Sequence, residues 1–335
     1  MNWKYLKIGF LICLVLVVLV PTVLYFSAFD WSKKHTTRIA ALPYFDSIID
    51  KGEYRLKAND LEFHIRVAGM QNDGPDLILL HGFPESSLMW QALLDEAALN
   101  GYRVLAFDQR GYSPEARPND VGAYQVDHLV QDVLAVADKV GMDTFHLVGH
   151  DWGAAVGWKT VMDFPERIHT WTAMAIPHSG VFFDAVINHP EQQKRSAYIK
   201  RFQMPLLPEF LFILNQQKVA NSLKGRWTDE QIAECLAIQS EYGALTAALN
   251  WYRATVTRYT STQAFNKKIV RPTLFIWGKK DPVVAPEIIP LQQAYMQAPY
   301  QELSLETGHS ILQSKTDSVT QAILYHLKKD YYADK

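Results

Sequence analysis

The chain has 335 residues, with 33 Lys+Arg against 35 Asp+Glu and a formal charge of −2. That balance excludes the basic excess of a nucleic-acid binder, and 48% hydrophobic with 20% charged residues excludes a disordered chain. Two cysteines, Cys13 and Cys235, cannot build a disulfide framework or a CxxC metal pair, and no HExxH motif occurs.

The first predicted element is apolar. Residues 8–29 contain no charged side chain and are dominated by Leu, Val, Ile and Phe. At 1.5 Å per residue such a helix spans a ~30 Å hydrocarbon core. Lys4 and Lys7 flank one end; Asp30, Lys33, Lys34 and Arg38 flank the other. Trp3, Tyr5, Tyr25 and Trp31 stand at the two interfacial positions. The segment 1–30 therefore predicts a single-pass transmembrane anchor, with membrane localisation. A cleaved signal peptide is the alternative, but Phe26-Ser27-Ala28 puts a bulky residue where a small one is wanted. Lysines at both ends leave the orientation open.

Strands and helices then alternate. Residues 61–67 alternate apolar and polar positions, a half-buried strand. Apolar runs at 76–81 and 103–108 predict two more strands, with a helix over 89–99 between them. Val126, Leu129, Val130, Val133, Leu134, Ala137 and Val140 follow helical spacing, closed by Gly141. A strand at 144–149, a helix at 153–164 and a strand at 168–176 follow. After the helix-rich stretch 177–266 come strands at 272–278 and 301–305. This rhythm predicts an α/β, doubly wound, mostly parallel sheet. The core comprises 31–176 and 267–335. Residues 177–266 form a helical lid inserted after the sixth strand, over the strand ends where ligands bind. Within the lid, 206–212 reads as a packing helix. Gln192-Gln193-Lys194-Arg195, and Lys267-Lys268 beyond it, read as solvated loops.

The central motif is Gly149-His150-Asp151-Trp152-Gly153, between a predicted strand and a predicted helix. This is the nucleophile elbow of the α/β-hydrolase fold, with aspartate at the nucleophile position. A serine attacking sp³ carbon would give an ether, which water does not cleave. A carboxylate gives an ester whose carbonyl belongs to the enzyme, and water activated by histidine can hydrolyse it. Asp151 thus predicts an alkylating substrate, such as an epoxide or alkyl halide. His309, in Thr307-Gly308-His309-Ser310, and Asp281, beyond the strand ending at Gly278, follow in the expected order of nucleophile, acid, histidine. Asp184 is a weaker candidate for the acid. His81-Gly82-Phe83-Pro84 follows the apolar strand at 76–81, where an oxyanion-hole donor arises in this fold. The backbone N–H groups of Phe83 and Trp152 are the candidates.

His81-Gly-Phe-Pro-Glu85, Asp108-Gln-Arg-Gly-Tyr-Ser113, Gly149-His-Asp-Trp-Gly153, Trp277-Gly278 with Asp281, and Asn250-Trp-Tyr-Arg253 together resemble the α/β-hydrolase-fold epoxide hydrolases. The resemblance covers about residues 50–330. It implies that two lid tyrosines, Tyr252 and Tyr198, hold the epoxide oxygen, and that the Phe83-Pro84 bond is cis. Ser310 departs from the family, which often has an aromatic residue after the histidine. The elbow is shared with haloalkane and haloacetate dehalogenases. Halide release, however, needs only weak N–H donors, whereas an epoxide alkoxide needs an acid such as tyrosine. The expectation is a cofactor-free epoxide hydrolase acting on a small lipophilic epoxide. A dehalogenase using the same Asp-His-Asp set and a non-catalytic receptor of the same fold are the alternatives. Oligomeric state is not legible.

Overall fold

Apolar runs of five or six residues, bounded by Gly, Pro and Asp, are too short for helices and set the strands of the sheet. The computed structural model describes residues 3, 7, 19–258 and 265–329. Among these, eight strands form one sheet: β1 (Gly52–Ala58), β2 (Leu61–Ala68), β3 (Asp76–Leu80), β4 (Arg103–Phe107), β5 (Phe145–His150), β6 (Ile168–Met174), β7 (Thr273–Gly278) and β8 (Tyr300–Leu305). Their order is β1-β2-β4-β3-β5-β6-β7-β8. β1 and β2 run antiparallel to their neighbours, and the other pairs are parallel. The polar strand β1 is not predicted by hydropathy. It lies at the sheet edge, where Glu53, Arg55 and Lys57 tolerate water.

Period-two alternation assigns the faces. In β3, Leu77 and Leu79 pack with Leu93, Val319 and Ile323, whereas Ile78 and Leu80 join the core that holds Val130, Val133 and Val156. The chain leaves β3 for β4 on one side, and β5 lies on the other. The order of the strands therefore reverses at β3/β5, which opens a crevice at their C-terminal ends.

Before the sheet come α1 (Val20–Ser27) and α2 (Lys34–Ala40). Within it come α3 (Gln91–Leu99), α4 (Val126–Lys139) and α5 (Trp152–Asp163). Between β6 and β7 the described residues form α6 (Ser179–Asn188), α7 (Pro190–Arg195), α8 (Ala197–Phe202), α9 (Leu207–Leu214), α10 (Gln216–Leu223), α11 (Asp229–Ser240) and α12 (Ala244–Arg258). After β8 come α13 (Ile311–Ser314) and α14 (Thr316–Lys328). α9 buries Pro208, Glu209 and Ile213 but exposes Leu207, Leu211 and Leu214.

The expected transmembrane helix is overturned, and the single-pass membrane localisation falls with it. Residues 8–18 lie outside the described residues. Among the described residues no helix is long and apolar enough to cross a membrane. The described part of this stretch includes α1. Beyond it the chain folds back on the protein. Phe29 is buried, and the Asp30 N–H donates to the Ser240 carbonyl at 2.9 Å. Tyr25 and Trp31, read as interfacial aromatics, instead contact Phe210 and Tyr242 at ring separations of 6.0 and 5.1 Å. Hydropathy alone cannot distinguish an apolar stretch facing lipid from one facing protein.

Candidate active site

The crevice is built by close backbone approach. A Cβ on Gly153 would stand 2.1 Å from the Leu80 carbonyl, and one on Gly82 2.4 Å from the Asp151 Cβ. Glycine at both positions lets the turn after β3 meet the turn after β5. Asp151 sits between β5 and α5 with φ +52° and ψ −119°, a conformation that costs an L-residue energy and lifts its side chain out of the sheet.

Both oxygens of Asp151 are engaged. The Phe83 N–H donates to Oδ1 at 2.8 Å, and Oδ2 lies 3.3 Å from His309 Nε2. His309 Nδ1 is 2.7 Å from Asp281 Oδ2. The other Asp281 oxygen accepts the N–H groups of Val283 and Val284, at 2.7 and 3.4 Å. Trp152 is the first residue of α5, where a backbone N–H has no partner within the helix. The positive end of that helix also faces Asp151. Phe83-Pro84 is cis.

The charges reinforce one another. Burial alone would lower the His309 pKa. The Asp281 and Asp151 carboxylates outweigh it and lift the imidazole well above the usual histidine range. Burial alone would raise Asp151. The hydrogen bond and charge of His309, the charge of His150 and the Phe83 N–H together hold the carboxyl below the usual range.

Behind the set lies a second polar layer that the motifs do not predict as functional. His150 Nδ1 is 2.9 Å from Glu85 Oε2, and its Nε2 donates to the His309 carbonyl at 2.9 Å. Gln313 donates to the other Glu85 oxygen. Burial would lower the His150 pKa, but Glu85 raises it. Only the folded chain brings Glu85, His150 and Gln313 into one chain of hydrogen bonds. His81 accepts the Gln109 N–H at 3.0 Å and so ties the turns after β3 and β4 together.

Tyr252 on α12 and Tyr198 on α8 stand with Asp151 on the wall of one cavity of about 310 Å³. Apolar side chains, among them Phe183, Val186 and Ile187 of α6 and Ile199 of α8, form most of its wall. The tyrosine rings are 6.1 Å apart, and Tyr252 packs edge-on against Trp152 at 4.9 Å. Burial raises both tyrosine pKa values, and the Asp151 charge adds to it, so both keep their O–H protons. The neighbours of Tyr252 hold it in place. Trp251 Nε1 donates to the Arg110 carbonyl at 2.8 Å, and Arg253 Nε to the Phe202 carbonyl at 3.0 Å. Asp184, the weaker acid candidate, is exposed on α6 and accepts from Asn188, away from the site.

Gln192 and Arg195 are not in a solvated loop. They lie in helix α7, Gln192 is fully buried, and both hydrogen-bond the loop after β7. A charge run shows nothing of its acceptors until the fold supplies them. Lys267 does lie exposed in a loop, paired with Asp163 at 2.7 Å. Among the described residues no group of three or more His, Cys, Asp or Glu could hold a metal ion.

Comparison with known proteins agrees with this architecture. The family model for the alpha/beta hydrolase fold matches residues 75–312. The chain is 32% identical over 292 residues to "Epoxide hydrolase 4" of Mus musculus, covering 84% of this chain and 80% of that protein. It is 31% identical over 292 residues to "Epoxide hydrolase 3" of Xenopus tropicalis, covering 84% and 78%. Among solved structures, a mutant of an epoxide hydrolase from Bacillus megaterium superposes with a TM-score of 0.72 at 25% identity, over 82% of this chain and 100% of that one. A family match over most of the chain, joined to relatives above 30% identity that it spans for most of their length, means that the chain belongs to the epoxide hydrolase family of the α/β-hydrolase fold.

Proposed function

We propose that the protein hydrolyses lipophilic epoxides to vicinal diols through an ester on Asp151. The observation that carries this reading is an elbow carboxylate within hydrogen-bond reach of a histidine-aspartate pair, facing two protonated tyrosines across an apolar cavity. Asp151 attacks an epoxide carbon, and the carbon–oxygen bond breaks away from it. Tyr198 and Tyr252 hold that oxygen, and one of them supplies its proton. The product of this step is a hydroxyalkyl ester.

The first step prepares the second. Esterification removes the Asp151 charge, one of the two that raise the His309 pKa. His309 then gives up its proton, which restores the tyrosine, and acts as a base, with Asp281 holding Nδ1–H and leaving Nε2 free to accept. His309 deprotonates water, and the hydroxide attacks the Asp151 carbonyl. The Phe83 and Trp152 N–H groups stabilise the oxyanion, an effect of about 2.7–4 kcal/mol per donor in measured cases. Collapse releases the diol, which takes its proton from His309. The carboxylic acid left on Asp151 ionises, and its proton returns to His309. Epoxide and water are consumed, and no cofactor takes part.

The test is a single turnover in ¹⁸O-water with enzyme in excess over styrene oxide. The label should enter the Asp151 peptide while the first-turnover diol stays unlabelled. Label in that diol would overturn the ester mechanism.

A further inference from the structure

The acid Asp281 is not held by the sheet alone. Its loop, 281–285, is gripped from the lid by two side chains of α7. Gln192 donates through Nε2 to the Val283 carbonyl and accepts the Ala285 N–H on Oε1, both at 2.8 Å. The same amide donates to Ser196 Oγ at 2.9 Å, which fixes its orientation. Arg195 Nη1 donates to the carbonyls of Asp281 and Val284, at 2.6 and 3.2 Å, and its Nε pairs with Glu191 at 3.0 Å. Four backbone groups of a five-residue loop are thus read by one short lid helix. Tyr198 lies three residues beyond Arg195, on the next helix.

We propose that Gln192 and Arg195 are positioning residues for ester hydrolysis, making the docking of lid helix α7 a condition for correct placement of Asp281 behind His309. This rests on the two-step reading above. The first step needs Asp151 and the tyrosines, and does not use Asp281 to activate water. The second needs Asp281 held so that His309 keeps its accepting nitrogen toward water. Catalytic geometry tolerates little displacement, since a misplacement of about 1 Å can cost on the order of 10²-fold in rate. Loosening the clamp should therefore slow hydrolysis and spare alkylation.

That asymmetry has a steady-state signature. When ester hydrolysis becomes slower, kcat and KM fall together and kcat/KM holds, because kcat/KM is set by the steps up to alkylation. Gln192→Met in the full-length chain, assayed on styrene oxide, should lower kcat about tenfold or more with kcat/KM within about twofold of the parent. Arg195→Met should do the same, and Arg195→Lys, which keeps a cationic donor, should recover most of the loss. Arg195 is part-exposed, so its pair of variants carries the test if Gln192→Met fails to fold. Loss of kcat/KM in step with kcat would mean that the lid acts through Tyr198 or through general stability, and would overturn the clamp. So would unchanged kinetics, or Lys no better than Met. If the parent never labels Asp151 in ¹⁸O-water, the two-step reading itself fails; a parent that labels normally isolates the failure to the clamp.

Discussion

Replacing Asp281 with asparagine should leave the first chemical step nearly intact and almost stop the second. The local geometry determines how the amide must sit. Asp281 Oδ1 accepts two backbone N–H groups, from Val283 and Val284. In the Asp281→Asn variant the side-chain carbonyl oxygen must stay on that side, because an NH₂ there would face two donors. The NH₂ therefore points at His309 Nδ1, where the carboxylate now lies 2.7 Å away. A donor at that place forces Nδ1 to accept, so Nε2 carries the proton. The imidazole then presents a donor to the water it should deprotonate. The equivalent change in a serine-protease triad lowers kcat about 10⁴-fold for the same tautomeric reason, roughly 5 kcal/mol of barrier. The expected outcome is alkylation within about tenfold of the parent and ester hydrolysis reduced by about 10³–10⁴. Rapid quench followed by intact-protein mass measurement reads both steps, the adduct appearing at the mass of styrene oxide. Ester hydrolysis that persists within tenfold of the parent, or alkylation that falls as far as hydrolysis, would refute the reasoning.

The tyrosines should separate the two kinds of leaving group. Tyr252→Phe should slow epoxide opening about 10²-fold or more, the loss expected for one oxyanion donor, and leave any turnover of 1-chlorohexane unchanged; equal loss on both would remove the proton-donor role. Buried neutral histidines predict acid lability. Burial lowers His35, His178 and His326 to about 4, below the unfolded value near 6.5. The unfolded chain therefore binds protons first as pH falls, so stability is intact above pH 6.5 and is lost between 6.5 and 4, on the order of 3 kcal/mol per histidine. The melting temperature should fall steeply across that window, and a flat profile down to pH 4.5 would contradict it. The apolar cavity wall, with Asp151 as the charged group on it, predicts at least tenfold preference for the methyl ester of an epoxy acid over its carboxylate at pH 8; parity in kcat/KM would count against it.

Much of the architecture is legible because it depends on local pattern. The runs around Leu77, Val104 and Leu147 announce buried strands, and the glycines around Asp151 announce a sharp turn. The edge strand β1 escapes because Glu53, Arg55 and Lys57 dilute its apolar positions. The apolar N-terminal stretch misleads for a related reason: its aromatic end meets Tyr242 and Phe210 some two hundred residues away, and no local count reveals that contact. Gln192 and Arg195 look like solvent-facing polar residues until α7 docks on the loop of Asp281.

By itself the sequence determined the chemistry available: a carboxylate on an elbow, a histidine and a second aspartate after later strands, and tyrosines in a helical segment. Residue type and turn propensity act over a few positions, and the linear chain displays them. The tertiary structure alone decided which oxygens face which nitrogens, that Glu85 and His150 back the histidine loop, and that α7 hydrogen-bonds the loop of Asp281. Those facts depend on distances between segments up to about two hundred residues apart. Such distances are set by the packing of the whole sheet and its helices, which no short window of sequence contains.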